Sequence, residues 1–479
     1  MAYENYIDGE WVAAESGETA TVRNPADLDD VVGEFPASGE ADVDAAVAAA
    51  SAAQSEWAAT PAPERGALLR ELADELEARE DELAETLTRE EGKVLGEAAG
   101  EVGHAIDSLR YYSEAIRDFG GDVKNASARD KRLFTRREPV GVVGLIAAWN
   151  YPIAIPVWKL GPALAAGNAA VFKPASATPN VMRKVFECID AVGFPDGVAN
   201  YVVGSGSEVG SALTSHPGVN AVSFTGSTAT GRRVYESACE DQKRVQTEMG
   251  GKNPTIVSDS ADLEDALDIV QGGAFGVTGQ ACTATSRAIV YEDVYDEFLE
   301  GIVARTESIE VGPGLKGGEM GPQANESELE GTLDYVDVAK EDGATLETGG
   351  GRPEAETDGY FVEPTVFSDV DPEMRIAQEE VFGPLLAVIP VSGFEEAVEV
   401  ANGVDYGLAA SIVTQDHSEA NRFVDESESG LVKINEGTTG TEVNVPFGGI
   451  KDSSSNTFRE QGDAGLRFYT RLKTVYDSY

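Results

Sequence analysis

The chain has 479 residues and carries 85 acidic against 36 basic side chains, a formal net charge of −49. That excess excludes a nucleic-acid-binding surface, which needs a basic face, and the length excludes a single core, so two or three domains are expected. With no apolar run of about 18 residues and no leader-like pattern at Met1–Tyr6, neither a membrane span nor a secretory signal is expected.

Tyr6 to Val12 alternates about Asp8-Gly9, the pattern of a hairpin, and residues 1–40 read as short strands and turns. Asp42 to Trp57 is an Ala-rich helix. Pro63 opens a longer helix whose Leu68, Leu69, Leu72, Leu76, Leu83 and Leu87 keep to one stripe, and a further helix runs from Gly96 to Phe119. Residues 121–138 are polar and hold Arg129, Lys131, Arg132, Arg136 and Arg137, the one basic cluster, expected to pair with acids within the chain or across subunits.

From Pro139 strands and helices alternate. Val140–Ala147, Ala169–Phe172, Ala199–Val203 and Ala221–Phe224 are apolar runs of buried strands. Helices near Val157–Ala166 and Asn180–Val192 fall between them. Such alternation predicts a doubly wound parallel sheet, which takes ligands beyond the carboxyl ends of its strands. After Gly250-Gly251-Lys252-Asn253-Pro254 the rhythm restarts with the strand Thr255–Val257 and the helix Leu263–Phe275, and αβ units continue to about residue 440. The fold class is therefore α/β, with two doubly wound parallel-sheet domains. Residues 455–479 form an arm whose last strand pairs within the chain or with a partner's sheet edge.

The three cysteines, Cys188, Cys239 and Cys282, lack zinc-like spacing and suit a reducing cytoplasm, and no metal site is expected. Cys282 sits in the Gly-rich turn Gly276–Arg287, where a substrate can reach a thiol. Gly226-Ser227-Thr228-Ala229-Thr230-Gly231 opens a helix after a strand, which reads either as a phosphate-holding turn or as a tight capped turn. Lys173 ends a parallel strand, either facing a ribose or phosphate or solvated. Asn150, in Trp149-Asn150-Tyr151-Pro152, is either an oxyanion donor or an ordinary turn residue. Glu248, before Met249-Gly250-Gly251-Lys252, is either a general base or a surface acid. Glu380-Val381-Phe382-Gly383-Pro384 and Pro446-Phe447-Gly448-Gly449 are rigid turns whose rings wall an apolar cleft. His104, His216 and His417 fall in no Ser/His or Cys/His signature.

In this order, the seven motifs around Asn150, Lys173, Gly226, Glu248, Cys282, Glu380 and Phe447 resemble the aldehyde dehydrogenase superfamily over essentially the whole chain. The resemblance implies that Cys282 is the nucleophile, Glu248 the base and Asn150 the oxyanion donor. It also implies a nicotinamide cofactor held by Trp149, Lys173, Ser176, Gly226, Ser227, Glu380 and Phe382. The family organisation implies a dinucleotide-binding domain over 1–120 and 139–251, and a catalytic domain over 252–440. Residues 121–138 and 455–479 would be a bridging β arm that makes homodimers or homotetramers.

In NAD-preferring relatives the position of Ser176 is often Glu, which repels a 2′-phosphate; Ser176 with Lys173 favours NADP, or dual use with NAD. The segments Gly279–Arg287 and Pro446–Ser455 resemble the 2,5-dioxopentanoate (α-ketoglutarate semialdehyde) dehydrogenase branch, which makes 2-oxoglutarate in pentose and sugar-acid degradation. The alternatives are a succinate-semialdehyde or broad aliphatic aldehyde dehydrogenase, or a catalytically silent protein of the same fold. Arg287 reads either as a contact for the substrate carboxylate or as a structural arginine at a strand start. The acids are interspersed with apolar residues, as on a surface adapted to very high salt.

Overall fold

A computed structural model describes residues 2–479. Two seven-stranded sheets dominate it. In the first, the parallel strands stand in the order Arg244–Glu248, Ala221–Thr225, Val142–Ile146, Ala169–Lys173 and Ala199–Tyr201. The chain thus runs outward from Val142–Ile146 in one direction, then returns and runs outward in the other. The switch point lies between Val142–Ile146 and Ala221–Thr225, where sheets of this kind open a ligand crevice. Four of the five strands are buried throughout, and the fifth is buried from Val245 onward. This accounts for their unbroken apolar runs. The hairpin Asn5–Ile7 with Glu10–Val12 extends the sheet antiparallel, and Asp8 and Gly9 take the positive φ values that its two-residue turn requires.

The second sheet runs Thr345–Thr348, Thr365–Ser368, Leu385–Val391, Thr285–Tyr291, Asn253–Val257, Ala409–Val413 and Leu431–Ile434. Only the first of these pairs antiparallel. A separate three-stranded antiparallel sheet joins Val123–Lys124 and Lys131–Pro139 to the C-terminal strand Thr470–Ser478, which pairs in continuous register from Thr470↔Pro139 to Ser478↔Lys131. The arm strand therefore pairs within its own chain. The basic cluster meets acids there: Arg132 with Asp477, and Arg136 and Lys473 with Glu138.

The long leucine-striped helix expected from Pro63 is two helices, Ala62–Ala78 and Glu80–Glu91. Arg79 leaves helical geometry (φ −117°, ψ 17°) and its guanidinium bridges Glu82 and Glu187. Leu69, Leu72, Leu76, Leu83 and Leu87 are still all buried, because the break lets each half pack on Leu95–Asp118 separately. No helix among the described residues is long and apolar enough to cross a membrane.

Candidate active site

A cavity of about 820 Å³ opens at the switch point of the first sheet and reaches the second domain. Trp149, Asn150, Lys173, Ser176, Gly226, Ser227, Cys282, Glu380 and Phe382 all line it. Nine of the ten residues singled out in the sequence thus share one wall, although 233 positions separate Trp149 from Phe382. The tenth, Glu248, stands beside it: its neighbours Met249 and Gly250 line the cavity, and its backbone carbonyl accepts from Gly226 N–H at 3.1 Å.

Cys282 is held by a strained, heavily braced loop. The single turn Gly276–Gly279 contains Val277 and Thr278 in left-handed geometry (φ 50° and 57°), which β-branched residues adopt at a cost of about 1–3 kcal/mol each. The loop is tied down by Val277 N–H to Glu97 Oε1 at 2.6 Å and Thr278 Oγ1 to the Gly321 carbonyl at 3.1 Å. Ala324 N–H donates to Gln280 Oε1 at 2.9 Å. Gly279 has φ 66°, and a Cβ there would lie 2.4 Å from the Gly383 carbonyl oxygen, so only glycine lets the cysteine loop close on the Glu380 turn. Beyond it, Asn253 Nδ2 donates to the carbonyls of Cys282 and Ala284 at 2.8 and 2.9 Å. Half-buried Cys282 has its thiol pushed up by burial and then by the negative charges of Glu380, Glu248 and Glu460.

Asn150 is fixed from both ends. Its side-chain N–H donates to the Gln280 carbonyl at 2.9 Å, two residues before the thiol. Its own carbonyl accepts from the buried Lys93 ammonium at 2.7 Å. Lys93 also bonds Glu101 Oε2 at 2.6 Å and lies 4.3 Å from the Tyr151 ring centroid. The other oxygen of Glu101 caps the helix Ala154–Ala165 through Ile153 and Ala154 N–H. The Asn150 amide has a second N–H, which these contacts leave free.

Glu248 is 2% exposed, which removes the surface-acid reading. Its carboxylate accepts from Gly449 N–H at 3.0 Å and from Gln246 Nε2 at 3.4 Å. Behind it stands a buried ion pair, Lys159 with Glu460. Lys159 also reaches Ser223 Oγ at 2.8 Å, and Ser223 Oγ lies 2.6 Å from Gln246 Oε1. Burial first, and the Glu460 charge second, hold the Glu248 carboxyl well above its ordinary pKa. Lys159 and Glu460 are the residues sequence reasoning missed. A lysine inside the otherwise apolar run Ile155–Ala166 was the available signal.

Lys173 is buried rather than solvated, with its ammonium on the Pro174 carbonyl at 2.7 Å and its pKa pushed down to about 8 by burial. Ser176 is exposed at the cavity and donates to the Gly204 carbonyl at 3.1 Å. Glu380 Oε1 accepts from Gly251 N–H at 2.9 Å, and burial raises its pKa to about 7. Trp149 and Phe382 meet edge to face at 5.4 Å between ring centroids. Arg287 lies outside this wall. It is sealed in the second domain, donating to the carbonyls of Lys252, Val400 and Ala401, so of its two readings the structural one stands and the substrate contact falls.

Comparison with known proteins agrees with this wall. The model of the aldehyde dehydrogenase family matches residues 11–475. The α-ketoglutarate semialdehyde dehydrogenase of Haloferax volcanii is 60% identical, with 99% of each chain covered. The 2,5-dioxopentanoate dehydrogenase of Saccharolobus solfataricus is 42% identical over 100% of both. A crystal structure of betaine aldehyde dehydrogenase from Staphylococcus aureus in complex with NAD+ superimposes with a TM-score of 0.97 at 36% identity, covering 99% of this chain and 95% of that one. Full-length matches in sequence and structure, around a cavity that Cys282 lines, identify the chain as a member of the aldehyde dehydrogenase family, an enzyme that oxidises aldehydes.

Proposed function

We propose that this enzyme oxidises 2,5-dioxopentanoate to 2-oxoglutarate, the step that closes oxidative pentose and sugar-acid degradation. The observation that carries this reading is the full-length identity of 60% and 42% to relatives that bear those two names for this activity. Cys282 is the nucleophile, Asn150 the oxyanion donor and Glu248 the base. In support, Cys282 and Asn150 share the cavity wall, and the Cys282 thiol feels the Glu248 charge.

The cofactor site fits a nicotinamide dinucleotide. A Cβ on Gly250 would lie 2.1 Å from Glu380 Oε2, so the glycine keeps a floor on which Glu380 can face a ribose. Gly226 and Ser227 open the helix Thr228–Glu240, whose N–H groups suit a pyrophosphate. Lys173 would hold the second ribose, and Trp149 and Phe382 would complete the contacts to the dinucleotide. When bound, the nicotinamide supplies a hydride acceptor. The protein's own residues do the rest. Cys282 passes its proton to Glu248, which releases it to solvent, and the thiolate adds to the aldehyde carbon. The free Asn150 N–H and the Cys282 backbone N–H hold the developing alkoxide. After oxidation the acyl group remains on sulfur as a thioester, and Glu248 takes a proton from the water that hydrolyses it.

NADP is the favoured cofactor. No carboxylate stands at Ser176, and the two cations on the cavity wall are Lys173 and Arg233. The first sheet, from 1–120 and 139–251, forms the cofactor domain, and 252–440 forms the catalytic domain. The strands of 121–138 and 455–479 make the arm for dimers or tetramers of a cytoplasmic protein. Kinetics at high salt with NADP or NAD and a panel of semialdehydes tests the whole reading. The highest kcat/KM is expected with 2,5-dioxopentanoate and NADP; a preference for succinate semialdehyde, or a large preference for NAD, overturns the respective part.

A further inference from the structure

Four charged side chains line the 820 Å³ cavity, and they are sorted by sign. Lys173 and Arg233 stand on the first domain, at the end of the strand Ala169–Lys173 and on the helix Thr228–Glu240. Glu328 and Glu380 stand on the second, in the first turn of the helix Glu326–Asp342 and in the turn that begins at Glu380. The Lys173 ammonium donates to the Pro174 carbonyl, and the Arg233 guanidinium donates to the Ala229 carbonyl of its own helix at 3.2 Å. Burial alone shifts Lys173, and the side-chain charges that act on Glu380 are those of Lys252 and Glu328. The two signs therefore stand apart along one cavity. Cys282 belongs to the negative part, since after burial the Glu380 charge is the first to act on its thiol.

The mechanism leaves Glu328 unused, and the fold gives it no ordinary task. It is the third residue of its helix, which Asn325 caps by accepting from Glu328 N–H at 3.1 Å. A glutamate at that place commonly turns back to the N–H of the capping residue. This carboxylate does not: it accepts no hydrogen bond and meets no cation among the described residues. It is half-buried against the cavity, whereas its neighbours Glu326 and Ser327 are exposed. Burial raises its pKa, and its charge in turn raises that of Glu380. Two carboxylates that repel each other inside a cavity are relieved when a cation arrives between them.

A nicotinamide dinucleotide has the matching polarity. Its phosphates are negative in both redox states, while its ring is positive only when oxidised. Hydride transfer needs the ring beside the carbon held on the Cys282 sulfur, at the carboxylate part of the cavity. Oxidation takes a hydride from that carbon, whose alkoxide closes to the thioester carbonyl, and the two electrons received cancel the positive charge of the ring. We propose that Glu328, with Glu380, tilts binding toward the oxidised cofactor, so that hydride transfer itself removes part of the hold on the cofactor and favours its release. This rests on the dinucleotide reading given above and adds a residue that tells the two redox states apart. Lys173 and Arg233 attract phosphates equally in both states and take no part in the discrimination.

The test is binding, not turnover. Isothermal titration calorimetry of the full-length enzyme without aldehyde, in mildly alkaline buffer above the Glu380 value of about 7, gives Kd for NADP+ and NADPH, and again for NAD+ and NADH. Glu328→Gln keeps the shape of the side chain and removes its charge. It is expected to weaken the oxidised form by roughly tenfold and to leave the reduced form within about twofold, the scale of unit charges acting across several ångströms at a partly buried site. Glu328→Asp keeps the charge and is expected to keep most of the wild-type ratio. Arg233→Gln is expected to weaken both forms by the same factor. A Glu328→Gln enzyme that keeps the wild-type ratio, or weakens both forms alike, overturns the proposal alone, and so does an Arg233→Gln enzyme whose ratio moves as far. A wild-type enzyme that binds neither cofactor pair overturns the dinucleotide reading and the proposal with it.

Discussion

Arg287→Met separates a structural arginine from a substrate contact. The guanidinium donates to the Lys252 carbonyl through Nε at 3.0 Å and Nη2 at 2.7 Å, to Val400 at 2.8 Å and to Ala401 at 2.9 Å. The Val400 carbonyl keeps a second donor, Gly403 N–H, in the variant. Those of Lys252 and Ala401 keep none among the described contacts. Two buried orphan carbonyls cost about 2–6 kcal/mol. Removing a buried charge returns part of this, since burial alone pushes the Arg287 pKa down to about 9. A net loss of about 3 kcal/mol lowers the melting temperature by roughly 6–12 °C for a domain of about 200 residues. Differential scanning calorimetry in concentrated KCl measures this, with KM for the semialdehyde determined well below the transition. The reasoning fails if the variant melts like the wild type while KM rises tenfold.

Three further outcomes are expected. Gly250→Ala drives a methyl into Glu380 and raises KM for the cofactor roughly ten- to a hundredfold, the penalty of a displaced positioning group; an unchanged KM means that Glu380 does not face the cofactor. As the proposed base, Glu248 must be ionised to activate water, and its pKa is raised well above 4.5, so thioester hydrolysis is expected to slow as pH falls through that raised value. Glu248→Gln abolishes this acid limb and lets thioester accumulate after one turnover, whereas full turnover by the variant contradicts the assignment. The net charge of −49 is screened over about 3 Å in 1 M salt but only over about 30 Å at 0.01 M. Dialysis into dilute buffer should therefore lower the melting temperature, and an unchanged transition counts against adaptation to salt.

The alternation of strand and helix from Val140 onward was readable because buried parallel strands are uniformly apolar and the intervening helices are not. Strand order was not readable, since it depends on which helix covers which face. The break at Arg79 carries neither glycine nor proline and was invisible in the leucine stripe. At the site, Cys282, Asn150 and Glu248 stand in short contiguous motifs. Lys159 and Glu460 are single charged residues 301 positions apart, and neither means anything without the other. Lys93 and Glu101 are only eight positions apart, but their purpose emerges only when Asn150 is seen between them and the cysteine loop. Arg287 sits five residues from Cys282 in sequence, and that nearness is no guide to its role: its guanidinium serves backbone carbonyls of the second domain.

The pairing of Thr470–Ser478 with Lys131–Pro139 also bears on the order of assembly during synthesis. Both seven-stranded sheets can form once residue 434 has emerged. Glu248 still waits for Gly449, Lys159 waits for Glu460, and the strand begun at Lys131 stays unzipped until Thr470–Ser478 arrives. Closing loops of 200 to 300 residues is slow relative to local folding. Both sheets thus precede, in the order of synthesis, the contacts that hold Glu248 and the ion pair behind it. A chain that stops after residue 440 would carry both sheets but lack Gly449 and Glu460, the partners of Glu248 and Lys159.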